Sequence, residues 1–76
     1  MRSMIKKSKL QNNFGKRVRE VRTKEGLSQE KLGFESGLDR TYISGIERGE
    51  RNPSLINIGK IAKALKVSLE KLFKGF

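Results

Sequence analysis

The same three-residue punctuation appears twice in this chain, as Gly26-Leu27-Ser28 and as Gly37-Leu38-Asp39. Glycine takes the left-handed conformation that ends a helix, and a Ser or Asp two residues on caps the next one. The Leu between them closes inward over the helix that has just stopped. A chain cut this way must fold as short helices joined by turns of a few residues. No stretch shows the sustained apolar–polar alternation of a strand.

Helical spacing fills the segments between the stops. A first helix is expected over roughly 12–25, with Phe14, Val18 and Val21 on one face. Ser28 starts a second helix that runs to about Ser36. Asp39 starts a third that runs to about Arg48, with Ile43 and Ile46 inward, and Gly49 stops it. After a polar loop, Glu50 to Pro53, Ser54 caps a fourth helix whose apolar stripe is Leu55, Ile58, Ile61, Ala62 and Leu65. Ser68 caps a fifth with Leu69, Leu72 and Phe73. The expected fold is all-α, a compact five-helix domain over residues 12–76. Residues 1–11 show no period and no cap, and read as a basic arm, solvated or lying on phosphates.

Composition narrows what such a domain does. The 76 residues contain no Cys and no His. Disulfides, thiolate metal sites and the commonest general base are therefore excluded. No Ser, Lys or carboxylate constellation replaces them, so an enzyme is the remotest reading, with no catalytic residue, metal or cofactor expected. There is no apolar run long enough to span a membrane and no signal-peptide core, and the expected location is cytoplasmic, for a bacterial or phage protein at the nucleoid. The formal charge is +10 and the sequence pI about 10.4, the footprint of a nucleic-acid binder. Residues 1–24 hold nine of the 18 Lys and Arg against one acid, Glu20, so most of the excess lies there.

The second and third helices, joined through Gly37-Leu38, form a helix-turn-helix pattern. Gly33 lets the third helix cross the second closely. Arg40, Thr41, Ser44, Gly45 and Arg48 share the third helix's side away from Ile43 and Ile46. That side is polar and small, and suits base edges in a major groove.

From Phe14 to Phe73 the chain resembles the Cro/C1-type helix-turn-helix family of phage repressors and small bacterial regulators. The segments VREVRTKEGLSQEKLG, SGLDRTYISGIERGERNPSL and IAKALKVSLEKLF carry the likeness. The run LDRTYISGIERGERN is similar to that of restriction–modification controller proteins. The resemblance implies a lambda-repressor-like domain that binds operator DNA as a homodimer, with no small-molecule ligand. It implies base reading by Arg40, Thr41, Ser44 and Gly45. It implies phosphate contacts from Gln29, Tyr42, Arg48, Arg51 and Asn52, and an internal ion pair of Arg22 with Glu47.

Each assignment has a plainer counterpart. Tyr42 also suits half-buried packing on the second helix, and Arg48, Arg51 and Asn52 a solvated loop. Gly45 has no side chain to read with, so it either admits DNA closely or reads nothing. Phe34 stands where the family is usually polar, and is expected to pack locally or to contact a protein. Leu69, Phe73 and Phe76 are candidates for the dimer interface, with Leu69 and Leu72 also candidates for the core. The alternatives in function are a phage-type repressor or antitoxin of the same fold, and a basic adaptor that binds acidic proteins or RNA.

Overall fold

The computed structural model describes residues 8–76, and residues 1–7 of the expected arm lie outside it. Five helices follow one another: α1 (Lys9–Lys24), α2 (Gln29–Ser36), α3 (Arg40–Glu47), α4 (Leu55–Leu65) and α5 (Leu69–Leu72). No strand occurs among the described residues.

The caps act as their chemistry requires. Ser28 Oγ accepts from the Lys31 amide at 2.9 Å, Ser54 Oγ from Asn57 at 3.1 Å and Ser68 Oγ from Lys71 at 3.0 Å. Asp39 accepts from the Thr41 amide at 3.0 Å. Each bond satisfies one of the orphan donors of a first turn, contributing about 1 kcal/mol. Gly37 takes φ 74° after α2, where any side chain would be strained. Lys66 does the same job after α4 at φ 61°, with no glycine to announce it.

The expected start of the first helix is corrected. It begins at Lys9 rather than near residue 12, because Ser8 Oγ accepts from the Gln11 amide at 2.9 Å and caps it. The segment expected to be arm therefore contributes its last residues to α1.

The core is one cluster to which every helix contributes. Leu32, Ile43, Ile46, Ile61, Leu65, Leu72 and Val18 are fully buried, with Phe14, Val21 and Ala62 nearly so. Each large aliphatic buried here contributes about 1.5–3 kcal/mol. Around this cluster α3 packs on α1 and α2, α4 packs on α2, and α5 packs on α1 and α4. Arg17 ties the last of these contacts, with Nη2 donating to the Lys71 carbonyl at 2.7 Å.

Three apolar residues lie outside the core: the stripe reading of Leu55, the core alternative for Leu69 and the local-packing alternative for Phe34 do not hold. Leu55 is 74% exposed, since the α4 stripe runs past the edge of the core at its first residue. Leu69 is 45% exposed, because the single turn of α5 buries Leu72 instead. Phe34 makes no local packing: it is 80% exposed, with only Lys31 Nζ over its ring at 5.6 Å.

Candidate nucleic-acid interface

The turn between α2 and α3 sets the exposed face of α3. A methyl group at position 33 would lie 2.8 Å from the Leu38 carbonyl oxygen and 3.4 Å from the Arg40 nitrogen. Only glycine lets the start of α3 approach α2 this closely. Leu38 is half-buried against the core, and its amide donates to the Gly33 carbonyl at 2.9 Å. Ile43 and Ile46 then hold α3 down by its inner side.

The opposite side of α3 carries the candidate readers. Arg40 and Thr41 are exposed in its first turn, and Ser44 is half-exposed one turn on. The Thr41 hydroxyl donates to Asp39, which also caps the helix. This hydroxyl bond, followed by the Thr41 amide and the nearby Arg40 charge, holds the Asp39 carboxyl below the usual carboxylate range. A threonine methyl and an arginine fork are groups able to distinguish base edges, and Thr41 and Arg40 are both exposed. Arg48 closes the row, bonded to Ser44 Oγ and, through Nε at 3.1 Å, to Glu50.

Gly45 departs from its expected role as a reader. It is buried, and a methyl group there would lie 2.7 Å from Arg51 Cγ. The Arg51 side chain covers it and reaches the Tyr42 ring, with Cζ 5.7 Å from the ring centroid. The Tyr42 hydroxyl accepts from Asn57 Nδ2 at 3.1 Å, so its ring is fixed from α4 as well. Asn57 carried no signal in the sequence: it lies off every apolar stripe, and only the crossing of α3 and α4 reveals its part. Asn52 is exposed beside Arg51 in the same loop.

Gln29 stands in the first turn of α2, but its amide points inward. Nε2 donates to Glu47 Oε1 at 3.0 Å. Glu47 also receives both prongs of Arg22, at 2.6 and 3.0 Å, so the three side chains form one network beneath α3. Gln29 is half-buried by this arrangement.

The C-terminal aromatics divide. Phe73 is a poor dimer candidate, because its ring stacks on Phe14 at 5.2 Å inside the protomer. Phe76 is 51% exposed and meets Phe73 edge-on at 5.4 Å. Ile56, unassigned by the helical spacing, is 69% exposed beside Leu55. Its position one residue off the α4 stripe was the available signal.

The helix-turn-helix family pattern matches residues 18–72, which include the turn and all of α3. Control protein C.BamHI of Bacillus amyloliquefaciens is 60% identical over 60 residues, covering 78% of this chain and 74% of that protein. The chain belongs to the helix-turn-helix family of control proteins. Control protein C.MunI of a Mycoplasma species is 46% identical over 61 residues, covering 79% of this chain and 82% of that one. The crystal structure of the restriction–modification controller protein C.AhdI from Aeromonas hydrophila matches with a TM-score of 0.85 at 55% identity. The match spans 87% of this chain and all of that one. Among the described residues of this chain, no helix is long and apolar enough to cross a membrane.

Proposed function

We propose that this chain is a DNA-binding transcription regulator of the control-protein type, acting in the cytoplasm as a homodimer on a pseudo-palindromic operator. The observation that carries the reading is the α3 face: Arg40 and Thr41 are exposed, with Ser44 half-exposed, on a helix held down by Ile43 and Ile46. A helix anchored this way enters a major groove, and two-fold symmetry places half-site centres about one DNA turn, roughly 34 Å, apart. Arg40 offers a bidentate fork to guanine, and Thr41 a methyl to thymine. Arg48 and Asn52 supply backbone contacts that fix register without reading sequence.

Dimerisation rests on exposed apolar side chains. Leu55 and Ile56 at the start of α4, with Leu69 and Phe76 near the C-terminus, leave large apolar surface in solvent on each protomer. The net positive charge, most of which lies in residues 1–24, raises non-specific attraction and association rate rather than selectivity. Regulation follows from protein concentration, since dimer formation and operator occupancy are coupled. No catalytic step, cofactor or small-molecule effector enters this scheme.

Selection of bound sites from random duplex DNA tests the reading. A palindromic sequence with half-sites one turn apart is expected. Enrichment of an asymmetric site, or of none, would overturn the symmetric regulator. Phage-type repressors and antitoxins of this fold are separated by the neighbouring gene, which for a control protein encodes a restriction or modification enzyme.

A further inference from the structure

Position 45 lies on the outer side of α3, two residues and roughly 200° round the helix from buried Ile43. It shares a row with Thr41, four residues earlier. A side chain there would stand among the proposed readers, yet the residue is glycine. The site is nonetheless covered, because the Arg51 stem lies where a residue-45 side chain would begin, with Cγ 2.7 Å from the missing Cβ. Arg51 Nε is 3.3 Å and Cδ 3.6 Å from the same point, so the whole stem lies across the helix. The guanidinium carbon then sits 5.7 Å from the Tyr42 ring centroid, within cation–π range. Asn57 Nδ2 donates to the Tyr42 hydroxyl at 3.1 Å and holds that ring from α4.

We infer that Gly45 is a seat for Arg51: α3 leaves this position empty so that the loop residue supplies a groove-facing side chain there, with Tyr42 clamping its guanidinium. Gly45 and Tyr42 are then positioning residues, and Arg51 acts from the reading face of α3 rather than as a free loop contact to phosphate. The inference rests on the proposed DNA-binding reading for its consequence, but the seat itself exists without DNA. It explains a glycine at an internal helix position, where alanine is the better helix former. A stem held on this seat before any partner arrives would lower the entropy lost on binding.

The test uses the full chain with Gly45→Ala, Arg51→Ala and the two together. In the free protein, proton cross-relaxation between the Arg51 γ and δ methylenes and the Gly45 α protons should be strong. Its absence overturns the seat, whatever the protein binds. With operator DNA, Arg51→Ala should lower discrimination between the selected site and single-base variants by roughly 5- to 150-fold at some base pair. Gly45→Ala should reproduce that loss while remaining folded, and the double variant should lose no more than either alone. Full discrimination in Gly45→Ala, or an even loss across all sequences in Arg51→Ala, overturns the inference. A wild-type protein without sequence preference would sink the proposed function and leave the cross-relaxation to decide the seat.

Discussion

Arg22 and Glu47 meet in a two-pronged ion pair at the end of α3, with Nε–Oε2 at 2.6 Å and Nη2–Oε1 at 3.0 Å. Their side chains are only 11% and 3% exposed. Arg22 Nη1 also donates to the Leu27 carbonyl at 2.8 Å, and Gln29 donates to Glu47. The last turn of α3 is thereby tied to α1, to the turn after it and to the start of α2. Glu47 alone would be badly placed, a negative charge at the carbonyl end of a helix dipole. The Arg22 fork compensates it, and the pair sets the register of α3.

Removing one partner leaves the other charge buried and unpaired. Glu47→Ala is expected to cost about 3–5 kcal/mol in urea unfolding. Replacing both residues with apolar side chains of similar volume should cost far less than the two single losses combined. Equal costs for the single and double replacements would show that charge pairing is not what matters at this position.

Gly15 and Gly59 are both helical glycines and should respond oppositely to alanine. A methyl group on Gly15 would lie 2.2 Å from the Ile46 carbonyl oxygen and 2.9 Å from that of Glu47, both backbone atoms. Gly15→Ala must push α1 away from α3 and is expected to cost about 1–3 kcal/mol. At Gly59 nothing lies within 4 Å, so Gly59→Ala should add about 0.4–1 kcal/mol. Paired thermal melts decide the point, and a stabilised Gly15→Ala would mean that α1 and α3 are not in contact.

What was legible in the sequence was local chemistry. Ser28, Asp39, Ser54 and Ser68 announce their helices because a cap bonds to amides two or three residues away. Ser8 caps just as well, but the turn it opens carries one apolar residue, Leu10, which is 63% exposed, so no inward stripe advertised it. Periodicity gave the direction of Leu55 and Leu69 but not where the core ends, and both fall beyond it. Gly15 was silent because its demand comes from the α3 backbone, far along the chain. Gly45 was placed among the base-reading positions, because the side chain that covers it belongs to a loop six residues on.

Asp39 should make the cap of α3 sensitive to acid. Its carboxyl titrates below the usual range because the Thr41 hydroxyl and amide bond to the charged form. A depressed folded-state pKa gives stability that is fully present above the unfolded value, about 3.9. That stability is lost as pH falls through the lower folded-state value. Asp39→Asn should therefore lag wild type in thermal melts at pH 7 and still at pH 5, with the gap closing below pH 4. A gap that is unchanged between pH 7 and pH 3 would detach the charge from capping.

Leu55, Ile56 and Phe76 are exposed in the protomer, so acidic substitutions there should leave the fold intact. Ile56→Asp is expected to convert a dimer to a monomer in sedimentation equilibrium at micromolar protein, and Phe76→Asp to weaken it. Phe34→Asp, on α2, should leave the dimer unchanged although Phe34 is the most exposed of these side chains, at 80%. Loss of the dimer through Phe34 alone would move the interface to α2.

Arg40 and Lys16 carry the same charge and should fail differently. Arg40 is exposed in the first turn of α3, and Lys16 is exposed on α1 beside the residue that packs against the back of α3. Arg40→Ala removes a fork able to hold two acceptors of one guanine. It should weaken operator binding by about 1–3 kcal/mol and relax preference at one base pair of each half-site. Lys16→Ala removes only part of the attracting field. It should slow association at low salt, an effect that fades as salt rises, and leave the preferred sequence unaltered. Binding to variant operators, measured at two salt concentrations, separates these outcomes. An altered preference in Lys16→Ala, with none in Arg40→Ala, would place the reading surface on α1 instead of α3.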